Sequence, residues 1–286
     1  MRRFAATISA AALLGAATVV VTATPAIAAP IGYSVGSDLD DQLYSIDLAT
    51  GVATAIGATG FDDVECLTFS NDGSTLFAVD DASEQLITLD TATGAGTAVG
   101  ALGVEFLDCG LTFDADGRLF MSTDDPQIFY EIDPETGAAT EIGDQGQEVT
   151  GLAADCDVIY GLGGDETDNL VTIDPETGLA TEVGPLVNVT VNDGGIDFDA
   201  ALDGQLWGLN DAGPEGASQT FTIDTTTGEA TVVAEITVGG EDAEGFEGLA
   251  ITGITCVLPP PPPAPPQPQP EPAPAPPVTV QPRFTG

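Results

Sequence analysis

From Ile31 to about residue 256 the chain is a succession of short runs, each about four to seven residues long, in which apolar and polar positions alternate between turn-forming residues. That two-residue period predicts strands buried on one face. One unit divides cleanly: "ECLTFS" is strand a, "STLFAVD" strand b, "QLITLD" strand c and "GTAVG" strand d. Strands a and b are joined by "NDG", a two-residue hairpin signal that recurs as "ADG" at 115–117 and "LDG" at 202–204. Strands c and d are joined by "IDPETGAATEIG" at 132–143, preceded by "IDLATGVATAIG" and followed by "IDPETGLATEVG". In this turn proline presets φ at the first corner, glycine supplies a positive φ at the exit, and Asp and Thr bond the turn amides. These aspartates therefore read as hairpin corners and not as calcium loops, since "DADG" at 114–117 lacks the later ligands of an EF-hand.

The repeat sets the architecture. Its turn aspartates fall at Asp47, Asp90, Asp133, Asp174 and Asp224, spaced by 43, 43, 41 and 50 residues. A period of this size with strand content predicts β-propeller blades. The first unit begins at strand b, while the last ends in an unpartnered strand a, "EGLAITG" at 247–253. The expectation is an all-β, five-bladed β-propeller over residues 29–258, with the C-terminal strand closing the N-terminal blade and removing an open sheet edge. The pattern resembles secreted bacterial β-propellers with "LYxIDxxTGxATxIG" repeats and, more distantly, the NHL and YVTN class. It departs from the WD-repeat pattern. The resemblance covers residues 31 to 256 and implies the fold while leaving activity open.

The ends differ in composition. Residues 1–28 open with Met1-Arg2-Arg3, continue as an alanine-rich apolar run and finish at Ala26-x-Ala28, as a secretory signal peptide does. An uncleaved membrane helix is the alternative for this run. Nothing later in the chain is apolar enough to span a bilayer. From Pro259 to Gly286 a tail beginning "PPPPPAPPQPQPEPAPAPP" cannot build a core and favours polyproline II. It reads as a disordered tail, with or without a spacer role; at ~3.1 Å per residue the stretch to Pro277 would reach roughly 60 Å. The expected location is secreted, extracellular or associated with the cell envelope.

Charge narrows the partners. Beyond the signal segment two arginines face 46 acidic residues, a net charge of −44, with no Lys or His in the chain. Such a surface repels nucleic acid and acidic lipid and offers little to hold a phosphate. A protein or a neutral glycan is the expected partner class, for a chain expected to be a monomer. Solubility in a salty exterior and divalent-cation binding are both consistent with the excess.

The d–a loops, "TGFDDVE", "GVEFLD", "DQGQEV", "VNVTVNDG" and "GGEDAEGFE", lead into the innermost strands. Asp62, Asp63, Glu65, Asp108, Glu148, Asp193 and Glu247 are thereby expected around the mouth of a central channel. Clustered carboxylates are relieved by a cation, by protonation or by solvent. An oxygen-only set without His or thiolate points to calcium as the cation. The competing reading is a set of solvated loop acids. Phe61, Phe106, Phe246 and Trp207 are the candidate platforms for a sugar, Trp207 alternatively serving as packing between blades.

Aligning the a strands on Leu67, Leu111, Leu152, Ile196 and Leu249 places Cys66, Gly110, Gly151, Gly195 and Gly248 at one crowded position. Cys109 lies one residue from that position in the next blade, which predicts a Cys66–Cys109 disulfide and leaves Cys156 to pair with Cys256.

Without His or Lys, triads, Cys-His pairs and Schiff bases are excluded. The reading is a binding or scaffold module, with calcium as the candidate ion. The alternative is a carboxylate-dependent hydrolase or a lectin acting on a neutral polysaccharide.

Overall fold

A computed structural model describes residues 30–37, 39–155, 158–164, 167–199, 204–211 and 216–252. They form five sheets, antiparallel apart from one short parallel addition to the first. The first contains β1 (Ile31–Val35), β2 (Gln42–Asp47) and β3 (Val52–Ala58). The second is β4 (Val64–Phe69), β5 (Leu76–Asp80), β6 (Gln85–Leu89) and β7 (Gly96–Ala101). The third is β8 (Leu107–Phe113), β9 (Leu119–Asp125), β10 (Ile128–Ile132) and β11 (Ala139–Asp144). The fourth is β12 (Gly151–Asp155), β13 (Val158–Leu162), β14 (Asn169–Ile173) and β15 (Ala180–Pro185). The fifth is β16 (Asp193–Asp199), β17 (Gln205–Asp211), β18 (Gln219–Ile223) and β19 (Ala230–Glu235). The chain then makes the short hairpin β20 (Thr237–Val238) and β21 (Glu241–Asp242) and ends in β22 (Glu247–Ile251).

Ring closure follows the expected route. Strand β22 pairs antiparallel with β1, so the C-terminal strand becomes the innermost strand of the N-terminal blade. Asp197 on β16 helps hold it, its carboxylate accepting from the Ile251 amide at 2.7 Å. The β20–β21 hairpin is an addition that the repeat pattern did not predict: β20 runs parallel to β3 and extends this first sheet to six strands.

Burial falls from the axis outward. The inner strands β4 and β22 are buried at every position, whereas the outer strands β7 and β11 are exposed or half-buried throughout. Strands enclosed on both faces need apolar or glycine residues, and rim strands carry Thr and Glu that discourage pairing with a second chain. Between the blades lie five apolar clusters, for example Phe120, Phe129, Leu152 and Val171 across the third and fourth sheets.

The repeated turn does two jobs. The Asp90 carboxylate accepts from the Ala92 and Thr93 amides at 2.8 and 3.0 Å, and the Asp224 carboxylate from Thr226 and Thr227 at 2.8 and 3.2 Å. These acids are consumed by their own corners. The second job lies between blades. In four of the five turns the glycine ending "TG" packs against the glycine of the preceding blade's "IG" or "VG": a Cβ on Gly137 would stand 2.4 Å from the Gly100 carbonyl oxygen, and one on Gly228 2.2 Å from that of Gly184, while Gly51 meets the Glu235 carbonyl oxygen instead. The motif is therefore both a hairpin corner and a contact between blades. The "NDG" connection departs from the two-residue expectation, since Ser70 and Thr75 close a longer loop through Ser70 N–H to Thr75 O at 2.8 Å.

Cys66 and Cys109 form the expected disulfide between β4 and β8, with a Cα–Cα distance of 5.6 Å. Cys156 and Cys256 lie outside the described residues. The bond closes a loop across 43 residues, and a Cys66→Ser/Cys109→Ser double variant is expected to lose about 2–4 kcal/mol. Urea denaturation of the two proteins checks this; equal midpoints would mean that the ring needs no such tie.

Candidate functional site

The five inner strands meet so closely that the axis is not an open channel. A Cβ at Gly110 would lie 2.6 Å from the Gly151 carbonyl carbon, and one at Gly195 would lie 2.1 Å from the Leu249 nitrogen. No water-sized void remains among Gly110, Gly151, Gly195 and Gly248. The expected central channel is therefore closed at the level of these glycines.

Carboxylates from four sheets and the loop leading into β4 converge at this end of the axis. Glu65, near the start of β4, is 4 % exposed. One oxygen each from Glu65, Asp108 and Asp193 lie within 4.8 Å of one another, and so do one each from Asp63, Glu65 and Glu247. The geometry also brings Cys66 and Cys109 beside Glu65, but both sulfurs are committed to the disulfide. The Cys66 sulfur, 3.9 Å from the Glu65 carboxylate, carries no hydrogen and cannot donate.

Burial and mutual repulsion govern the protonation of these groups. Glu65 is pushed well above the usual carboxylate range, first by burial and then by the charges of Asp193, Glu247, Asp108 and Asp63. Asp193 is likewise raised, by burial and then by Glu247 and Asp108, although the Gly194 amide donates to it at 2.6 Å. Glu247 accepts from the Ser37 hydroxyl. Asp81, on the neighbouring b–c loop, is raised to about 6 by burial and by Asp63 and Asp108.

Five of the seven acids expected at the mouth thus come together: Asp63, Glu65, Asp108, Asp193 and Glu247. Asp62 belongs to neither group and occupies an exposed loop position. Glu148 lines a separate open groove with Leu107, Asp124, Asp125 and Asp144. At the register position of Glu65 the fourth blade supplies Thr150, whose buried hydroxyl oxygen has no hydrogen-bond partner. Aligning the a strands on Leu152 would have marked Thr150; the richer acidity of "DQGQEV" drew attention to Glu148.

The aromatic candidates lie elsewhere. Phe106, Phe246 and Trp207 are buried, Phe246 packing edge-on against Tyr44, and Phe61 is half-buried against the cluster around Val64 and Leu67. Their faces are spent on the core and so do not form an exposed sugar platform. Trp207 takes the packing role between blades, against Leu209, Ile236 and Phe246. Arg118, the only basic residue among the described residues, is engaged far from the mouth by Asp114 at 2.7 Å and Glu176 at 3.2 Å.

Among solved structures, a chain of a nidogen/laminin complex superposes with a TM-score of 0.54 at 13% identity, covering 79% of this chain and 99% of that one. The fold is a five-bladed β-propeller. A Bacteroides thetaiotaomicron structural-genomics protein of unknown function matches with a TM-score of 0.49 at 20% identity over 63% of this chain. Hydrazine synthase of Kuenenia stuttgartiensis gives 0.43 at 19% over 62%. This propeller spans about half the length of each of those two chains, 53% and 51%. No protein-family model matches the sequence. No curated protein does either. No helix among the described residues is long and apolar enough to cross a membrane.

Proposed function

We propose that this propeller is an exported, non-catalytic binding module that holds a divalent cation of the calcium class at its axial mouth. It presents the acidic loop face to a protein or neutral glycan, with the proline-rich tail as spacer. One observation carries the reading. The Glu65 carboxylate is buried, receives no hydrogen bond from the neighbouring disulfide sulfur, and sits among four further carboxylates. Buried charge of one sign demands protons or a cation, and an all-oxygen set suits calcium or magnesium more than zinc.

The hydrolase alternative gains no support from this arrangement. Glu65, Asp108 and Asp193 crowd within 4.8 Å of one another, closer than the separation at which two carboxylates act from either side of a sugar ring.

Titration calorimetry of the purified protein, stripped with EDTA, tests the reading. Calcium is expected to bind at constant ionic strength where added NaCl gives no saturable heat, and Asp193→Asn is expected to weaken it at least about tenfold, or 1.4 kcal/mol. A calcium titration indistinguishable from the salt control would leave the acids as a solvated surface.

A further inference from the structure

Aligned on Leu67, Leu111, Leu152, Ile196 and Leu249, the next residue of each inner strand is Thr68, Thr112, Ala153, Asp197 and Ala250. The one acid in this ring of positions stands at the seam where the fifth blade meets the strand that closes the propeller. There the Asp197 carboxylate accepts from the Ile251 amide at 2.7 Å with one oxygen and from the Phe198 amide at 2.8 Å with the other. Ile251 is the last residue of β22 and lies opposite Gly32 of β1, but its N–H is given across the seam to Asp197. We propose that Asp197 is a proton-controlled latch on the ring closure: while its carboxyl is protonated the end of β22 stays seated against β16, and once the proton is lost that end opens before the rest of the ring. The latch is independent of the cation-binding reading, which concerns the other end of the axis.

The surroundings of Asp197 suit this role. It keeps some accessible surface in a recess that it lines with Thr68, Ser70, Asn71 and Thr112. The recess has about 20 Å³ of space, room for one water, so a proton can come and go without the ring unfolding. Burial is the first cause of the rise of this carboxyl to about 7; the Ile251 and Phe198 amides oppose it and the charge of Asp199 adds to it. Of the elements around it, β4, β8, β17 and β22 carry Glu65, Asp108, Asp211 and Glu247, all at the mouth end with Asp193. Strand β12 ends in the exposed Asp155, and β13 brings Tyr160, packed on Phe198. None of these is a cation, and Arg118 is engaged by Asp114 and Glu176.

Linkage then fixes the direction. In the open form the carboxyl meets water and returns to the ordinary carboxylate range, so opening releases a proton that the closed form keeps. Between that range and about 7, each rise in pH favours opening. Eight residues after Ile251 the sequence enters its proline-rich tail at Pro259, so the strand that the latch holds is the one to which the tail is joined.

Amide hydrogen exchange of the purified protein in EDTA tests the latch. Peptides covering β22 and, as the internal reference, β9 are followed by mass spectrometry and corrected for the intrinsic rate at each pH. Between pH 5 and pH 8 the opening equilibrium at β22 is expected to rise by at least about tenfold more than at β9. Asp197→Asn keeps a carbonyl oxygen for the Ile251 amide but cannot ionise, and is expected to abolish that excess. Asp197→Ala is expected to leave β22 weakly protected at both pH values, with circular dichroism reporting that the sheets remain; the native protein and Asp197→Asn decide the matter without it. An equal rise at β22 and β9, or an excess that survives in Asp197→Asn, would overturn the latch.

Discussion

Gly195→Ala is expected to cost about 4 kcal/mol or more and to leave little folded protein at room temperature. Gly195 lies where β16 passes β22 at the axis, and the added methyl would stand 2.1 Å from the Leu249 nitrogen and 2.5 Å from the Gly248 carbonyl carbon. Both obstacles are backbone, so no rotamer change relieves the clash. The strand that would have to retreat is the one that closes the ring. Overpacking a core by one methyl usually costs about 1–3 kcal/mol when side chains can shift, and more when they cannot. Gly216→Ala is the control, because nothing lies within 4 Å of its Cβ position, and a change within about 0.5 kcal/mol is expected there. Urea denaturation of both variants makes the comparison. Equal, small losses would mean that the inner strands separate readily and that the axis is less tightly packed than described.

That axial contact also separates what was legible in the sequence from what was not. Local chemistry was legible: the Asp and Gly of "IDPETG" act within one turn, and the alternation of "QLITLD" acts within one strand. Repetition then turned one blade into five, and the missing strand a at Ile31 disclosed the closure. The Cys66–Cys109 bond followed because a register shared by all blades puts distant residues at one level. Packing between blades was not legible. Nothing local to "EIG" says that Gly143 meets the next turn near Thr177, or that four glycines and Cys66 on the five inner strands close the axis.

The same limit explains the errors in the site. Glu65, Asp108, Asp193 and Glu247 come together because each lies in or at the start of an inner strand, where register holds. Glu148 lies outside any strand, where register no longer holds, and the chain carries it to a different groove. Phe106 and Phe246 flank loops, yet apolar rings gain more by covering the seams between blades, and Trp207 takes the packing alternative.

In EDTA, the melting temperature is expected to fall as pH rises from 5 to 8, and calcium to remove or reverse that fall. The sign follows from the raised carboxylates. Glu65 and Asp193 lie well above the ordinary carboxylate range, Asp81 is raised to about 6 and Asp197 to about 7, burial being the first cause in each. Between the ordinary range and these values the folded protein holds protons that the unfolded chain has released. Stability is therefore greatest at the acid end of that window and declines as pH climbs through it, by about 1.4 kcal/mol per pH unit for each proton of difference. Calcium binds the ionised carboxylates, so its contribution grows as the protons leave. At one hundred times its Kd it adds about 2.7 kcal/mol, a rise of roughly 5–10 °C for a domain of this size. At pH 5 protons compete and the rise is smaller. Asp197, about four residues along β16 from Asp193 and so roughly 13 Å from the mouth, retains its share of the slope whether or not calcium is present. Asp193→Asn should thus lose most of the calcium response while keeping part of the pH dependence. Thermal unfolding at pH 5 and pH 8, with calcium, EDTA and matched NaCl, separates the two contributions; a calcium response equal at both pH values would mean that the ion binds somewhere other than these acids.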